Sequence, residues 1–176
     1  MTAGESGAPR HIVVMGVTAT GKTTVGTALA AALGGVFVEG DAFHPQANID
    51  KMSAGIPLDD DDRRPWLRAL AGEIARLDAA GEISVTACSA LRRRYRDWLR
   101  EGNSGVFFVH LDATSDVLLD RMRRRTHFMP PSLLQSQLDT LEPLEPDESG
   151  AVIDDTQPVD AVIAASLAAV RAGDPA

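Results

Sequence analysis

The sequence is poor in cysteine and in aromatic residues, with one cysteine, Cys88, and an aromatic fraction of 5% in 176 residues. A single cysteine excludes an internal disulfide, so the fold must be stabilised by burial of apolar side chains. Because aromatic residues are few, that core must consist mainly of Ala, Val, Leu and Ile, within a hydrophobic fraction of 44%. A chain of this length predicts one domain that can bury a core of its own.

An excess of basic residues is also absent, since 17 Lys and Arg stand against 25 Asp and Glu, a formal net charge of −8. Nucleic-acid surfaces require a basic face, so we expect no nucleic-acid partner. No apolar run approaches the length of a membrane span, so we expect no membrane partner and a cytoplasmic location. Residues 1–10 are polar without an apolar signal region, and we interpret them as a disordered tail before a single domain over residues 11–176.

The order of apolar segments along the chain predicts an α/β fold. Short apolar runs, typical of buried strands, alternate with segments whose apolar residues recur at helical spacing. The runs lie at residues 12–15, 36–38, 83–88, 106–111 and 151–153. This pattern predicts a five-stranded parallel sheet with helices on both faces. Between residues 123 and 146 the periodicity weakens and Pro, Ser and Gln accumulate, which indicates a mobile lid.

Residues 16–23, GVTATGKT, match the phosphate-binding pattern G-x-x-x-x-G-K-[ST]. The glycines let successive backbone N–H groups face phosphate oxygens, and the following helix adds the positive end of its dipole. Lys22 can place its charge on the β- and γ-phosphates of ATP, and the Thr23 hydroxyl can bind Mg²⁺. A chance glycine-rich turn is the alternative, but an apolar strand precedes the motif and a helix follows it. The candidate ATP-binding residues of this loop are Gly16, Thr18, Ala19, Thr20, Gly21, Lys22, Thr23 and Thr24.

Missing motifs disfavour two other classes of P-loop protein. A GTPase requires the guanine-reading pattern N-K-x-D, which is absent. Motor proteins and other ATPases usually carry a strand that ends in Asp or Asp-Glu, whereas the third predicted strand ends in TACS, residues 86–89. Small P-loop kinases tolerate that absence, and they often carry an arginine-rich lid such as the segment that contains Arg121, Arg124 and Arg125.

Residues 40–52, GDAFHPQANIDKM, resemble the G-D-x-x-H-P-x-x-N-x-x-K-M stretch of gluconokinases. Further similarities follow in the family's order at residues 55–67, 88–97, 127–137 and 154–158. Two positions depart: Ala19 stands where many members have glycine, and residues 125–127, RTH, lack a glycine before the histidine. The resemblance implies a P-loop NTPase fold similar to nucleoside monophosphate and shikimate kinases, ATP with Mg²⁺ as phosphoryl donor, D-gluconate as acceptor, and a homodimer.

Two alternative functions stay open at this point. The chain can be another small-molecule P-loop kinase with a shikimate-like or nucleotide-like acceptor, or a nucleotide-binding module without turnover. The second alternative predicts nucleotide binding without acceptor-dependent ADP release. The absent guanine motif and the presence of Asp41 disfavour it.

Asp41 follows the second predicted strand directly, which places it at the carboxyl edge of the sheet beside the phosphate loop. A carboxylate there can orient the acceptor hydroxyl and accept its proton. It can instead hold Mg²⁺ through water, because the third strand offers no carboxylate, or it can cap a helix. Asp41 is therefore a candidate for catalysis, for acceptor binding and, with Thr23, for metal binding.

The carboxylate of gluconate calls for a basic partner. Arg63 and Arg92 are the leading candidates, although each basic residue alone can equally be a solvated surface residue. His44 can bind acceptor hydroxyls or serve as a structural histidine. The full set of candidates for acceptor binding is Asp41, His44, Lys51, Arg63, Arg92, Arg96 and His127.

In the arginine-rich segment, the resemblance favours Arg121 and Arg125 over Arg124 for contacts with ATP phosphates, so the candidate catalytic residues are Lys22, Asp41, Arg121 and Arg125. Gln157 and Pro158 match the position of the family's adenine loop. Four consecutive aspartates at residues 59–62 suggest a metal site, but we interpret them as a helix N-terminus, where carboxylates favour the dipole.

Overall fold

The computed structural model describes residues 7–125 and 130–173. Its sheet has five strands in the order β2-β3-β1-β4-β5. These strands are β1 (His11–Met15), β2 (Val36–Glu39), β3 (Ser84–Ala87), β4 (Val106–Asp112) and β5 (Gly150–Asp154). Each neighbouring pair is parallel, an arrangement that needs long crossover connections. The five-stranded parallel sheet predicted from the sequence is confirmed.

The described residues also form α-helices and one 3₁₀ turn, Gly40–Phe43. The helices are α1 (Lys22–Leu33), α2 (Gln46–Ser53), α3 (Asp60–Ala79), α4 (Arg93–Arg100), α5 (Ser115–Arg123), α6 (Pro131–Thr140) and α7 (Val159–Ala172). Side chains of α1 and α7 form the core on one face of the sheet. Side chains of α3, α4, α5 and α6 form the core on the other face, so the predicted helical layers on both faces are confirmed.

The central strand β1 shows how the two cores are separated. Ile12 and Val14 join the core under α1 and α7, whereas Val13 and Met15 join the core under α3 to α6. Successive side chains of a strand point to opposite faces, and here both faces are covered. All four side chains are fully buried, which explains why this strand is one continuous apolar run.

Two helices were not predicted from the sequence. In α4, four of the eight residues are arginine, so the apolar periodicity is weak even though Tyr95 and Leu99 are buried. Helix α6 lies inside the segment 123–146 that we interpreted as a lid, and it buries Leu133 and Leu134. The lid interpretation concerns motion, which stays a prediction.

The described part of the predicted tail contacts the domain. Pro9 is buried, and the Arg10 carbonyl oxygen accepts a hydrogen bond from the backbone N–H of Ser84 at 2.9 Å. Contacts with the sheet therefore begin before the predicted boundary at residue 11. Within residues 7–125 and 130–173, no helix combines the length and apolar character needed to cross a membrane.

Candidate active site

The phosphate loop connects β1 to α1 at the carboxyl edge of the central strand. Gly16 has a φ of 147°, and a Cβ at this position would lie 2.8 Å from the carbonyl oxygen of Leu111, so only glycine permits so close an approach to β4. Gly21, with a φ of 80°, precedes α1. Gly21 has no side chain that could cap the helix, so the first N–H groups of α1 remain available to an anion.

Ala19 is the one loop residue with a side chain in an unusual backbone conformation. Its φ is 67°, in the left-handed region that favours glycine. The residue is buried. This geometry gives a physical reason for the glycine that the sequence resemblance predicts at this position.

Lys22 reaches back over the loop, and its Nζ donates a hydrogen bond to the Val17 carbonyl oxygen at 2.9 Å. Desolvation lowers the pKa of Lys22, and the nearby Asp41 carboxylate opposes that shift. Thr20 is buried, and its hydroxyl donates to the same Val17 carbonyl at 2.8 Å. Thr20 therefore shapes the loop, whereas Lys22 carries the charge that faces the site.

A carboxylate that sequence reasoning missed stands beside the predicted metal residue. The Thr23 hydroxyl donates a hydrogen bond to Glu39 Oε2 at 2.6 Å. Glu39 is the last residue of β2, and a carboxylate that ends a strand next to the phosphate loop was the signal that could have revealed it. The described residues contain no cluster of three or more His, Cys, Asp or Glu of the kind that holds a metal without other ligands. The hydroxyl and carboxylate oxygens fit a Mg²⁺ that also binds nucleotide phosphates.

A pocket that we call the Asp41 pocket opens beside the phosphate loop. It combines residues of the loop, the 3₁₀ turn and helices α2, α3 and α6 with the segments after α2 and β3. Its lining residues are Thr18, Lys22, Asp41, His44, Met52, Ile56, Pro57, Leu58, Arg63, Trp66, Ser89, Leu133, Ser136 and Gln137.

Asp41 and His44 lie on the turn that follows β2. Gly40 makes this turn possible, because a Cβ there would lie 2.1 Å from the Ala87 carbonyl oxygen. The Asp41 side chain is exposed, and its Oδ1 is 3.8 Å from His44 Nε2. The buried His44 ring stacks on Trp66 with centroids 3.9 Å apart, and burial lowers the pKa of His44. Trp66 in turn donates a hydrogen bond from Nε1 to the Gly40 carbonyl oxygen at 2.8 Å, which fixes the turn.

Among the basic candidates for binding the acceptor carboxylate, Arg63 is the one that lines the Asp41 pocket. Its residue surface is only 8% exposed. Its Nη1 donates to the Tyr95 hydroxyl at 3.1 Å, and its guanidinium lies 5.1 Å from the Tyr95 ring centroid. The Tyr95 hydroxyl donates to Asp60, so its oxygen is free to accept from Arg63. Among the described residues, no carboxylate lies within ion-pair distance of Arg63, whose charge is thus buried without a protein counter-ion.

The other basic candidates have carboxylate partners elsewhere. Lys51 Nζ donates to both carboxylate oxygens of Asp62, at 2.9 and 2.7 Å. Arg92 lies 3.5 Å from Asp60 in a neighbouring groove. Arg96 is fully buried and pairs with Glu148 at 2.7 Å. None of these three basic residues lines the Asp41 pocket.

A second cavity, which we call the Arg121 pocket, lies on the other side of the phosphate loop. Residues expected to bind ATP line it: Ala19, Thr20, Gly21, Thr24, Arg121, Arg125 and Gln157, together with Val25, Arg124, Asp155 and Val159. Pro158 adjoins it as the residue before α7. The predicted contact of His127 lies outside the described residues.

Asp155 is a second residue that sequence reasoning missed. Arg121 Nη1 donates to Asp155 Oδ2 at 2.6 Å, and Nη2 donates to the Asp155 carbonyl oxygen at 2.5 Å. Burial raises the pKa of Asp155, and the pairing with Arg121 opposes that shift. Arg121 also contacts the Ala19 carbonyl oxygen at 3.3 Å, so the pair ties α5 to the phosphate loop.

Helix α6 touches the phosphate loop directly. The Oε1 atom of Gln137 accepts a hydrogen bond from the backbone N–H of Thr18 at 2.7 Å. Gln137 is partly buried and lines the Asp41 pocket. Its contact lies on the loop whose amides bind phosphate in proteins with this motif.

A parallel sheet with a phosphate loop at its central strand, and with separate pockets on the two sides of that loop, defines a P-loop kinase. A family model described as an AAA domain matches residues 12–128. A gluconokinase of Gluconobacter oxydans is 53% identical over 141 residues, which are 80% of this chain and 79% of that protein. The chain belongs to the gluconokinase family.

Solved structures agree with this assignment. The crystal structure of a gluconokinase from Sinorhizobium meliloti has a TM-score of 0.81 and 48% identity, with 94% of this chain and 91% of that chain covered. A shikimate kinase from Bacteroides thetaiotaomicron has a TM-score of 0.63 at 19% identity, covering 92% of this chain and 96% of that chain. At that identity the similarity shows the shared fold alone, as the sequence predicted.

Proposed function

We propose that this protein transfers the γ-phosphoryl group of ATP to a hydroxyl group of D-gluconate, which yields ADP and 6-phosphogluconate. The observation that carries the proposal is Arg63, a buried guanidinium without a carboxylate partner in the described chain, at the wall of the pocket that contains Lys22 and Asp41. A buried charge without a partner is costly, so a ligand carboxylate is its natural complement. The names of the related proteins support gluconate as that ligand.

In this proposal the residues of the Asp41 pocket divide the chemical work. Arg63 binds the gluconate carboxylate, and His44 donates a hydrogen bond to a hydroxyl group of the acceptor. Asp41 accepts the proton of the reacting hydroxyl group. The hydroxyl oxygen then bonds to the γ-phosphorus of ATP, while the bond between that phosphorus and the β–γ bridging oxygen breaks. Lys22 stabilises the negative charge of the transferred group.

The same proposal assigns roles on the nucleotide side of the site. Bound Mg²⁺ would supply charge neutralisation for the phosphates, and Thr23 with Glu39 would hold it, with Asp41 as the alternative ligand through water. The phosphate loop would bind ATP through Gly16, Thr18, Ala19, Thr20, Gly21 and Thr24. Arg121 and Arg125 would contact phosphates, and Gln157 and Pro158 would flank the adenine. A homodimer is our further expectation from the sequence resemblance, and a cytoplasmic location is our expectation from the lack of a membrane-length apolar run in the sequence.

The test is coupled measurement of ADP release with gluconate, glucose, shikimate and nucleoside monophosphates as acceptors. We expect turnover with gluconate to exceed turnover with each other acceptor, and Lys22→Ala to lower kcat by about 10²-fold or more in a folded variant. Higher turnover with shikimate or a nucleoside monophosphate than with gluconate would show that gluconate is not the preferred acceptor. Nucleotide binding without ADP release for any acceptor would overturn the kinase proposal itself.

A further inference from the structure

The His44 ring has a hydrogen-bond partner on the side away from Asp41. Its Nδ1 atom is 3.2 Å from Asn48 Nδ2, one turn further along the chain in α2. The same Asn48 nitrogen donates to the backbone carbonyl oxygen of Asp62 at 2.9 Å. Asn48 is 3% exposed and His44 is 8% exposed, so water does not readily replace either contact.

These two contacts fix which ring nitrogen carries the proton. A carbonyl oxygen can only accept, so the Asn48 atom that faces Asp62 must be the amide nitrogen. An amide nitrogen can only donate, so His44 Nδ1 must accept. A neutral histidine that accepts at Nδ1 carries its proton on Nε2, the atom that faces Asp41 Oδ1 at 3.8 Å.

We propose that Asn48 is a positioning residue that holds His44 as the neutral Nε2–H tautomer, so that His44 and Asp41 together present one donor and one acceptor to a single substrate hydroxyl. The gap of 3.8 Å is too long for a direct hydrogen bond between the two residues. A hydroxyl oxygen between them accepts from Nε2–H and donates its proton to the Asp41 carboxylate. The proposal rests on the proposed kinase function only for the identity of that hydroxyl.

The charged groups around the ring agree with a neutral state. Asp41 on the turn after β2 favours the imidazolium ion, whereas Arg63 on α3 disfavours it, and burial lowers the pKa of His44 further. Protonation at Nδ1 would also set an N–H group against the Asn48 amide nitrogen, which has no acceptor to offer. An imidazolium ion would in addition pair with Asp41 and make that carboxylate a weaker base.

The direct test is nuclear magnetic resonance of the full-length protein labelled with ¹⁵N in histidine, which has only four such residues. We expect His44 at pH 7 to be neutral with its proton on Nε2. Asn48→Asp should favour protonation at Nδ1 and raise the titration midpoint of His44 above that of the wild type. Gln46→Glu is the matched control, because Gln46 is exposed on the same helix and its new carboxylate does not face the ring.

The kinetic readout separates this role from a structural one. We expect Asn48→Asp to raise the KM for the acceptor about tenfold, as loss of one hydrogen bond to a hydroxyl predicts, while the KM for ATP stays unchanged. An Nδ1–H tautomer or an imidazolium ion in the wild type at pH 7 would overturn the proposal. So would a variant with raised KM and unchanged His44 resonances. The resonance measurement needs no acceptor, so its result is independent of whether gluconate is the substrate. If Asn48→Asp does not fold, the tautomer measured in the wild-type protein alone tests the proposal.

Discussion

Gln137 and Thr18 are 119 positions apart in the sequence, yet a hydrogen bond of 2.7 Å joins the side chain of the first to the backbone of the second. The contact sets the amide oxygen of Gln137 against an N–H group of the loop that we propose binds the phosphates of ATP. Helix α6 therefore contacts the same loop as the proposed nucleotide. The electrostatic character of position 137 should affect nucleotide binding.

Gln137→Glu replaces this neutral oxygen with a carboxylate. Two negative charges in a partly buried site repel each other by a few kcal/mol, so we expect the KM for ATP to rise by about tenfold or more. Gln137→Ala should change it far less, because it adds no charge. Gln135→Glu is the matched control, since Gln135 is exposed on the same helix. Steady-state kinetics with varied ATP measures whether the KM for ATP is highest for Gln137→Glu. Equal KM values for Gln137→Glu and Gln135→Glu would contradict the prediction.

Arg63→Ala should raise the KM for gluconate by about tenfold to a hundredfold, because a hydrogen-bonded charge pair of roughly 1.5–3 kcal/mol is lost. The KM for ATP should stay close to the wild-type value. The preference for gluconate over glucose should narrow, because glucose has no carboxylate for the missing guanidinium. Arg92→Ala provides the comparison, since Arg92 pairs with Asp60 outside the Asp41 pocket. The carboxylate is bound elsewhere if both variants keep wild-type selectivity.

Asp41→Asn should lower kcat by about 10²–10⁴-fold, the usual contribution of a general base, with a small effect on nucleotide binding. Asp50→Asn is the control, because Asp50 is an exposed carboxylate on α2 outside the pocket. Single-turnover measurements at saturating substrates isolate the chemical step. A kcat for Asp41→Asn within about twofold of the control, far below that range, excludes Asp41 as the base.

Ala19 adopts a φ of 67°, which is strained for a residue with a side chain by about 1–2 kcal/mol. Ala19→Gly removes this strain, although glycine costs some of that gain as chain entropy. Ala19→Val adds a β-branched side chain where space is short. We therefore expect the free energy of unfolding, measured with urea, to fall for valine and to stay equal or rise for glycine. A glycine variant less stable than the valine variant would refute this order.

The segment 123–146 should become more protected when ligands bind. Its α6 part contacts the phosphate loop mainly through Gln137, and its burial rests on Leu133 and Leu134, so local opening should cost little free energy without ligand. Hydrogen exchange followed by mass spectrometry, with an ATP analogue plus gluconate, should slow in this segment more than in α3. Unchanged exchange in the segment would remove the case for a lid.

The sheet could be predicted from the sequence because local patterns determine it: β1 is apolar throughout, and the phosphate loop marks its end. Helix α4 was not predicted because Arg96 is charged and does not contribute to an apolar pattern. Arg96 can be buried because it donates a hydrogen bond to Glu148, 52 positions later in the chain. The same limit applies to the site. The family resemblance ranks Arg63 only slightly above Arg92, and it is the contacts with Asp60 and Tyr95 in the fold that leave Arg63 without a carboxylate partner among the described residues. The roles of Glu39 and Gln137 likewise depend on their contacts with the phosphate loop, which only the fold reveals.

The strand order carries a consequence for how the protein is made. Among the strands of the described sheet, β1 is synthesised first, yet it lies in the centre, between β3 and β4. The Leu111 carbonyl against which Gly16 packs belongs to β4, Val106–Asp112. A nascent chain therefore cannot complete its nucleotide cradle until Leu111 in β4 has been synthesised. Until then the edge of β1 that pairs with β4 stays open, and an unpaired strand edge of a buried apolar strand is a site at which nascent chains can aggregate.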